Sequence, residues 1–160
     1  MKKFASLLLI LVALSSCTED LSKNNPAFEG LRDDSLWRSR ESWAELAENG
    51  SVTITGMTAY ETVILKMPST ATIAYPLGTS VSRRGYYISN FDGVEETYST
   101  GSSFGDGMIV IEEYDSIKHT ITGRFRFNAE HLENYPDGPV VNFRDGHFYK
   151  VPVIPAIPAD

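Results

Sequence analysis

Gly101-Ser102-Ser103-Phe104-Gly105 satisfies the G-x-S-x-G spacing of a nucleophile elbow, in which a sharp strand-to-helix turn exposes a serine hydroxyl for attack on an acyl carbon. That chemistry needs a helix after the serine and a histidine as base. The next segment, Gly107-Met108-Ile109-Val110-Ile111, is instead strand-like, so Ser103 reads as a residue of a flexible hairpin loop. His119, His131 and His147 are scattered, and none stands in H-x-H or H-x-x-x-H spacing with another, so no zinc or iron ligand set is written locally. Glu95-Glu96 and Glu112-Glu113, with Asp115, are the candidate acid pairs for glycoside or calcium chemistry. Neighbouring strand residues point to opposite faces, which denies adjacent glutamates a shared site. Asp92-Gly93 lacks the oxygen-ligand spacing of an EF-hand, and no glycine-rich turn follows a strand and opens a helix to cradle phosphate. We therefore expect no catalytic residue, no cofactor and no metal ligand. The remaining chemistry is recognition: Tyr86 and Tyr87 are adjacent, so one of them is expected to face outward near Tyr98 or Tyr75 as a stacking surface, against the plainer reading of core packing.

Charge narrows the partners. The chain of 160 residues carries a net charge of −7, and without Lys2 and Lys3 of the leader it holds 12 basic against 21 acidic residues. A phosphate backbone demands a basic face, and Arg83-Arg84 is the one adjacent basic pair beyond the leader, which argues against nucleic acid. The single cysteine, Cys17, has no partner for an internal disulfide. It closes Met1–Cys17, in which two lysines precede the apolar run Phe4–Leu14 and then small residues, the layout of a secretory leader. Such a run is short against the about 20 residues a membrane-spanning helix needs. Leu14-Ser15-Ser16-Cys17 resembles the lipobox of bacterial lipoproteins, which implies cleavage before Cys17 and a diacylglycerol on its thiol. Two or three acyl chains at about 0.8 kcal/mol per buried methylene would hold the chain at a membrane without help from the fold. Thr18-Glu19-Asp20 then resembles the acidic signal that sends Bacteroidota lipoproteins to the outer face of the outer membrane, with a plain polar tether as the alternative.

The elements that would carry any site are strands. In His119–Asn128, Ile121, Phe125 and Phe127 share one face while Thr120, Thr122, Arg124, Arg126 and Asn128 share the other. Met108–Tyr114 precedes it across a polar turn at Asp115–Lys118, and Gly123 marks a bulge or a close backbone approach. Further strand signals fall at Val52–Thr55, Glu61–Met67, Ala71–Tyr75, Gly85–Ile88 and Glu96–Thr100. Val140–Phe143 and His147–Val151 flank Asp145-Gly146, which reads as a hairpin turn or a bulge in one long strand. Ser35–Asn49 is ambiguous: Leu36, Arg40, Trp43 and Ala47 stand at helical spacing, while Trp37 and Trp43 also suit one or two short strands. The pattern predicts an all-β, mainly antiparallel domain, a β-sandwich or partly open barrel of about 7–9 strands with one short N-terminal helix as the alternative at 35–49. Its expected organisation is a signal peptide at 1–16, the lipidated Cys17 and a flexible tether at 17–34, a single domain at 35–152 and a proline-rich tail at 153–160.

The blocks Gly85-Tyr86-Tyr87-Ile88, Tyr98-Ser99-Thr100, Gly107–Ile111, Thr120–Phe127 and Asp145–Pro152 resemble, in order and spacing, a lipoprotein family of unknown function from the Bacteroidota. Members show a G-T-Y-like strand, a tyrosine before a Gly-started strand, an I-x-G-x-F-x-F strand and a closing N-G-x-F strand. This chain departs with Arg124 and Arg126 where small hydroxyl residues are common, and with Asp145 in place of Asn. The resemblance implies a small, lipid-anchored, mostly β domain and brings no activity. We expect a non-enzymatic envelope lipoprotein of the outer membrane, held by acyl chains on Cys17, on the cell surface or alternatively the periplasmic face. Its expected role is a binding or accessory module for a glycan, peptide or partner protein, without nucleic acid. The alternatives are a periplasmic carrier of a small apolar ligand in a barrel cavity and a hydrolase using Ser103 or a carboxylate pair.

Overall fold

Alternation of apolar and polar residues recurs through the chain, and in the computed structural model, which describes residues 27–155, it produces an all-β fold. Eleven strands follow in order: β1 (Ala27–Arg32), β2 (Ser35–Arg38), β3 (Glu41–Leu46), β4 (Val52–Met57), β5 (Glu61–Met67), β6 (Ala74–Leu77), β7 (Arg84–Phe91), β8 (Val94–Ser99), β9 (Asp106–Asp115), β10 (Thr120–His131) and β11 (Val140–Pro155). The leader, Cys17 and the first part of the tether lie outside the described residues, as does the end of the tail.

The hydrogen-bonded order is β2-β1-β11-β3-β4-β5-β7-β8-β10-β9-β6, with β10 also paired to β11. That extra pairing closes a circuit through β11, β3, β4, β5, β7, β8 and β10. Two layers result: β2-β1-β11-β10-β9-β6 on one side and β3-β4-β5-β7-β8 on the other. The long strands turn the corners. β10 leaves β9 and ends on β8 at Glu130↔Ser99 and His131↔Tyr98, and β11 ends parallel to β3 at Val153↔Ala44. Side chains that are neighbours across the first layer meet successive positions along β7 in the second. Phe127 covers Gly85, where a Cβ would stand 2.8 Å from the ring; Phe143 packs on Tyr87 at 5.7 Å between centroids; and Arg32 bonds the Tyr87 hydroxyl. The two layers are therefore joined through β10 and β11, single strands that pass from one sheet to the other. Sandwich and barrel are two descriptions of this one closed object.

The interior is filled by aromatic rings. Phe28, Phe127, Phe143 and Phe148 are fully buried, and Phe28 meets Trp37 and Phe125 edge-on at 5.5 and 5.3 Å. The alternation of β10 is complete: Ile121, Gly123, Phe125, Phe127 and Ala129 point inward while Arg124 and Arg126 point out. Gly123 lies at register shifts with both neighbours, and a Cβ there would come within 2.5 Å of the Phe148 ring, so both its roles as bulge and close approach are met.

The strands number eleven, against the about 7–9 expected, and two stretches that the sequence left open are decided. Part of that excess is β1, which the sequence places in the tether because only Phe28 and Leu31 among its six residues are large and apolar; pairing to β11 makes it a strand and buries Phe28. Ser35–Asn49 holds no helix. It forms β2 and β3, with Trp37 buried between the layers, and Leu36 is 72% exposed, so the helical spacing marks no buried face. Asp145-Gly146 is a bulge in one long strand: Asp145 has φ 50°, and β11 runs on through it and through the start of the proline-rich segment to Pro155. Pro76 sits inside β6, which is tolerated because β6 is the edge of the sheet.

The turn between β9 and β10 carries a titration consequence. Asp115 Oδ1 accepts from the backbone N–H groups of Lys118 at 2.8 Å and Ile117 at 3.0 Å. The Lys118 N–H leads in holding its carboxyl below the ordinary value, since these bonds favour the charged form. A lowered folded pKa means that the stabilisation is present above the unfolded carboxylate value of about 3.9 and is lost as pH falls through the lower folded one. Asp115→Asn keeps an acceptor but removes the titration. The difference in urea midpoint between wild type and Asp115→Asn is expected to shrink as pH is lowered from about 5 to about 2, and a constant difference would contradict the assignment.

Candidate functional site

The outward face of β9, β10, β11 and β1 gathers most of the charged side chains that the alternation turns away from the core. Cross-strand register sets Arg124 opposite Val110 on one side and His147 on the other, His147 opposite Glu29, and Glu29 opposite Arg38. Ion pairs run along and beside this row. Arg124 Nε lies 2.5 Å from Glu112 Oε1, His147 Nε2 lies 3.0 Å from Glu29 Oε1, and Arg38 Nη1 lies 3.2 Å from Glu29 Oε2. Four residues along β10, Asn128 Nδ2 donates to Asp106 Oδ1 at 3.0 Å and Asn128 Oδ1 accepts from Asn142 Nδ2 at 2.7 Å.

Arg126 lies between these two rows. It stands opposite Met108 on β9, and on the β11 side the register jumps from Phe125↔Gly146 to Phe127↔Phe143, so Arg144 and Asp145 together oppose it. Such a bulge re-aims side chains. Among the described residues, Arg126 makes no side-chain hydrogen bond or ion pair, while Arg144 is drawn away to Asp34 at 2.6 Å. The result is an open groove of about 520 Å³, lined by Met108 and Val110 on one bank, Arg124 and Arg126 along the middle, and Asp145 and His147 on the other bank. It offers guanidinium donors beside a short apolar strip, a recognition surface rather than a set of reacting groups.

The residues singled out from sequence do not converge. Ser103 occupies a turn between β8 and β9, with φ 78° and its N–H on the carbonyl of Gly78 at 2.9 Å; a strand follows it, and its hydroxyl makes no hydrogen bond to a histidine among the described residues. His119 is exposed in the β9–β10 turn, and His131 is buried with its ring edge-on to Tyr98 at 4.9 Å. Only His147 reaches the groove. Glu112 serves as the Arg124 partner, and Glu96 accepts from the Tyr98 hydroxyl at 3.4 Å.

Tyr86 does face outward, under Lys66 and Arg84 at 5.2 and 6.0 Å, but Tyr98 and Tyr75 are both buried, so the expected outward tyrosine cluster does not form. The exposed aromatics are elsewhere. Tyr60 and Phe91, 60% and 49% exposed, lie 5.6 Å apart where the β4–β5 turn meets the end of β7, and Phe104 packs on Tyr135 at 5.2 Å. Turn residues carry no periodicity, so nothing in the sequence marked them.

One further polar constellation is internal. Arg32 of β1, Glu61 of β5 and Tyr87 of β7 meet across the layers: Arg32 Nη1 pairs with Glu61 Oε1 and donates to the Tyr87 hydroxyl at 2.6 Å, which in turn donates to Glu61 at 2.7 Å. All three are mutually satisfied, so the cluster reads as a tie between layers.

No curated protein and no solved structure matches the chain. A family model does match, across residues 24–152, which includes β1 and reaches within β11. The chain thus belongs to a family described as a domain of unknown function, DUF6252.

Proposed function

We propose that this protein is a lipid-anchored envelope lipoprotein of the Bacteroidota outer membrane, displayed on the cell surface, that works without catalysis as a binding or accessory module for a glycan, peptide or partner protein. The observation that carries this reading is the contrast between the two sides of the sheet. The interior, where a carrier would hold an apolar ligand, is occupied by packed rings of Phe28, Phe125, Phe127, Phe143 and Phe148. The outward face of β9–β11 holds an open groove with exposed guanidinium groups. Ligand recognition from outside suits a domain tethered through its N-terminal side, and the acylated Cys17 with the polar segment that follows it supplies that tether.

The experiment is mass analysis of the mature N-terminus combined with protease shaving of intact cells, in wild type and Cys17→Ala. Wild type is expected to begin at an acylated Cys17 and to be shaved from whole cells. Cys17→Ala is expected to lose the acyl mass and to leave the membrane fraction. An unmodified N-terminus, or a chain protected until the envelope is broken, would overturn the surface reading.

A further inference from the structure

Arg124 and Arg126 are two residues apart on one face of β10, a repeat of about 6.7 Å. An extended peptide repeats its own same-face side chains at that distance, so carboxylates at its positions i and i+2 match the two guanidinium groups in register. Planar guanidinium forks suit carboxylates, which they bond in pairs of parallel hydrogen bonds. Arg126 has no partner among the described residues. Arg124 gives only its Nε to Glu112, and with its side chain 68% exposed its terminal nitrogens face solvent. Met108 and Val110 repeat with the same period on β9 and form an apolar strip alongside.

The anions around the groove refine the ligand. Asp145 on the β11 bank repels an acid placed there, Glu29 occupies His147, and Glu112 neutralises part of Arg124. The chain as a whole carries an excess of acidic residues, so a dense polyanion meets repulsion over the screening distance of about 8 Å at physiological ionic strength. Two well-spaced carboxylates on an otherwise neutral chain avoid that repulsion and use the cations fully.

We propose that the groove binds an extended acidic segment of a partner protein, seating two carboxylates two residues apart on Arg124 and Arg126 with its aliphatic carbons along Met108 and Val110. This rests on the reading of the domain as a binding module and names its ligand. Met108, Arg124 and Arg126 act as binding residues, and Asp145 as a determinant that sets the ligand's line along β10.

The test uses the full mature chain in detergent and isothermal calorimetry with short synthetic peptides. One carries Glu-Val-Glu, one Glu-Glu-Val and one Gln-Val-Gln in the same neutral frame, and polygalacturonate is the glycan control. The Glu-Val-Glu peptide is expected to bind at least tenfold tighter than either the Glu-Glu-Val isomer or the Gln-Val-Gln amide analogue, to lose about tenfold with each of Arg124→Gln and Arg126→Gln, and to weaken as salt rises. Equal binding of the three peptides, or binding unchanged in Arg126→Gln, would overturn the inference. So would binding of polygalacturonate alone; if that binding were lost in Arg126→Gln, the groove would stand as a glycan site and the module reading would survive. Absence of binding by every probe overturns the peptide ligand, and the module reading then rests on the cell-surface experiment alone.

Discussion

Phe143→Ala is expected to destabilise the domain by about 3–5 kcal/mol, measured as a lowered urea midpoint at unchanged slope. Phe143 is fully buried on β11 where the two layers face each other. Its ring packs against Phe127 at 5.0 Å, Tyr87 at 5.7 Å, Trp37 at 5.9 Å and Phe125 at 6.1 Å, which come from three other strands, β10, β7 and β2. Truncation removes the transfer free energy of the ring and leaves a void that these neighbours cannot fill, because each is held by a strand hydrogen-bonded on both sides or by its own ring contacts. Phe143→Leu keeps most of the volume and is expected to cost less than about 1.5 kcal/mol. As a control, Phe91→Ala removes a half-exposed ring at the end of β7 and is expected to stay within about 0.5 kcal/mol. Similar losses for Phe143→Ala and Phe91→Ala would mean that the interior is not packed as the ring geometry requires.

The same contrast shows what the sequence could express. β10 was legible because period 2 maps directly onto two faces, and Ile121, Phe125 and Phe127 turned out inward as their spacing requires, with Arg124 and Arg126 opposite. β1 was not, and β2 stayed open against a helix, because a short strand near a sheet edge needs only one or two buried residues; Phe28 and Trp37 suffice, and Leu36 is left in solvent. Asp145-Gly146 was undecidable for a specific reason: a residue tolerant of positive φ followed by glycine serves a hairpin turn and a bulge equally, and the choice is made by the pairing of β11 to β10 on both sides of it.

The groove was half legible. Two arginines on one outward face could be read directly, whereas Met108, Val110 and Asp145 join them only through the register of β9 and β11. Least accessible was the tie between layers, whose members stand 55 and 26 positions apart in the chain and are joined only by the crossing of β1 over β5 and β7.

Breaking that tie from one side is the second large effect expected. Glu61→Leu leaves the Arg32 guanidinium, 28% exposed, without its carboxylate and the Tyr87 hydroxyl without its acceptor, and is expected to cost about 2–4 kcal/mol. Arg32→Met alone strands the Glu61 carboxylate, 15% exposed, at a comparable cost. The double variant removes both charges and puts aliphatic carbon in their place, so it is expected to be more stable than either single variant, a coupling that a double-mutant cycle reads directly. Additive losses would show that the pair contributes nothing to joining the layers.

The tyrosine adds an independent check. Burial pushes the Tyr87 pKa up, with Arg32 opposing, so the folded protein keeps the hydroxyl protonated and able to donate to Glu61. A raised folded pKa contributes stability that is complete below the unfolded value of about 10 and is lost as pH rises through the folded one. Wild type should therefore lose stability on the alkaline side more steeply than Tyr87→Phe, which keeps the ring against Phe143 but carries no proton to lose; a slope unchanged by Tyr87→Phe would assign the alkaline loss to Tyr98, whose pKa is also raised, chiefly by burial.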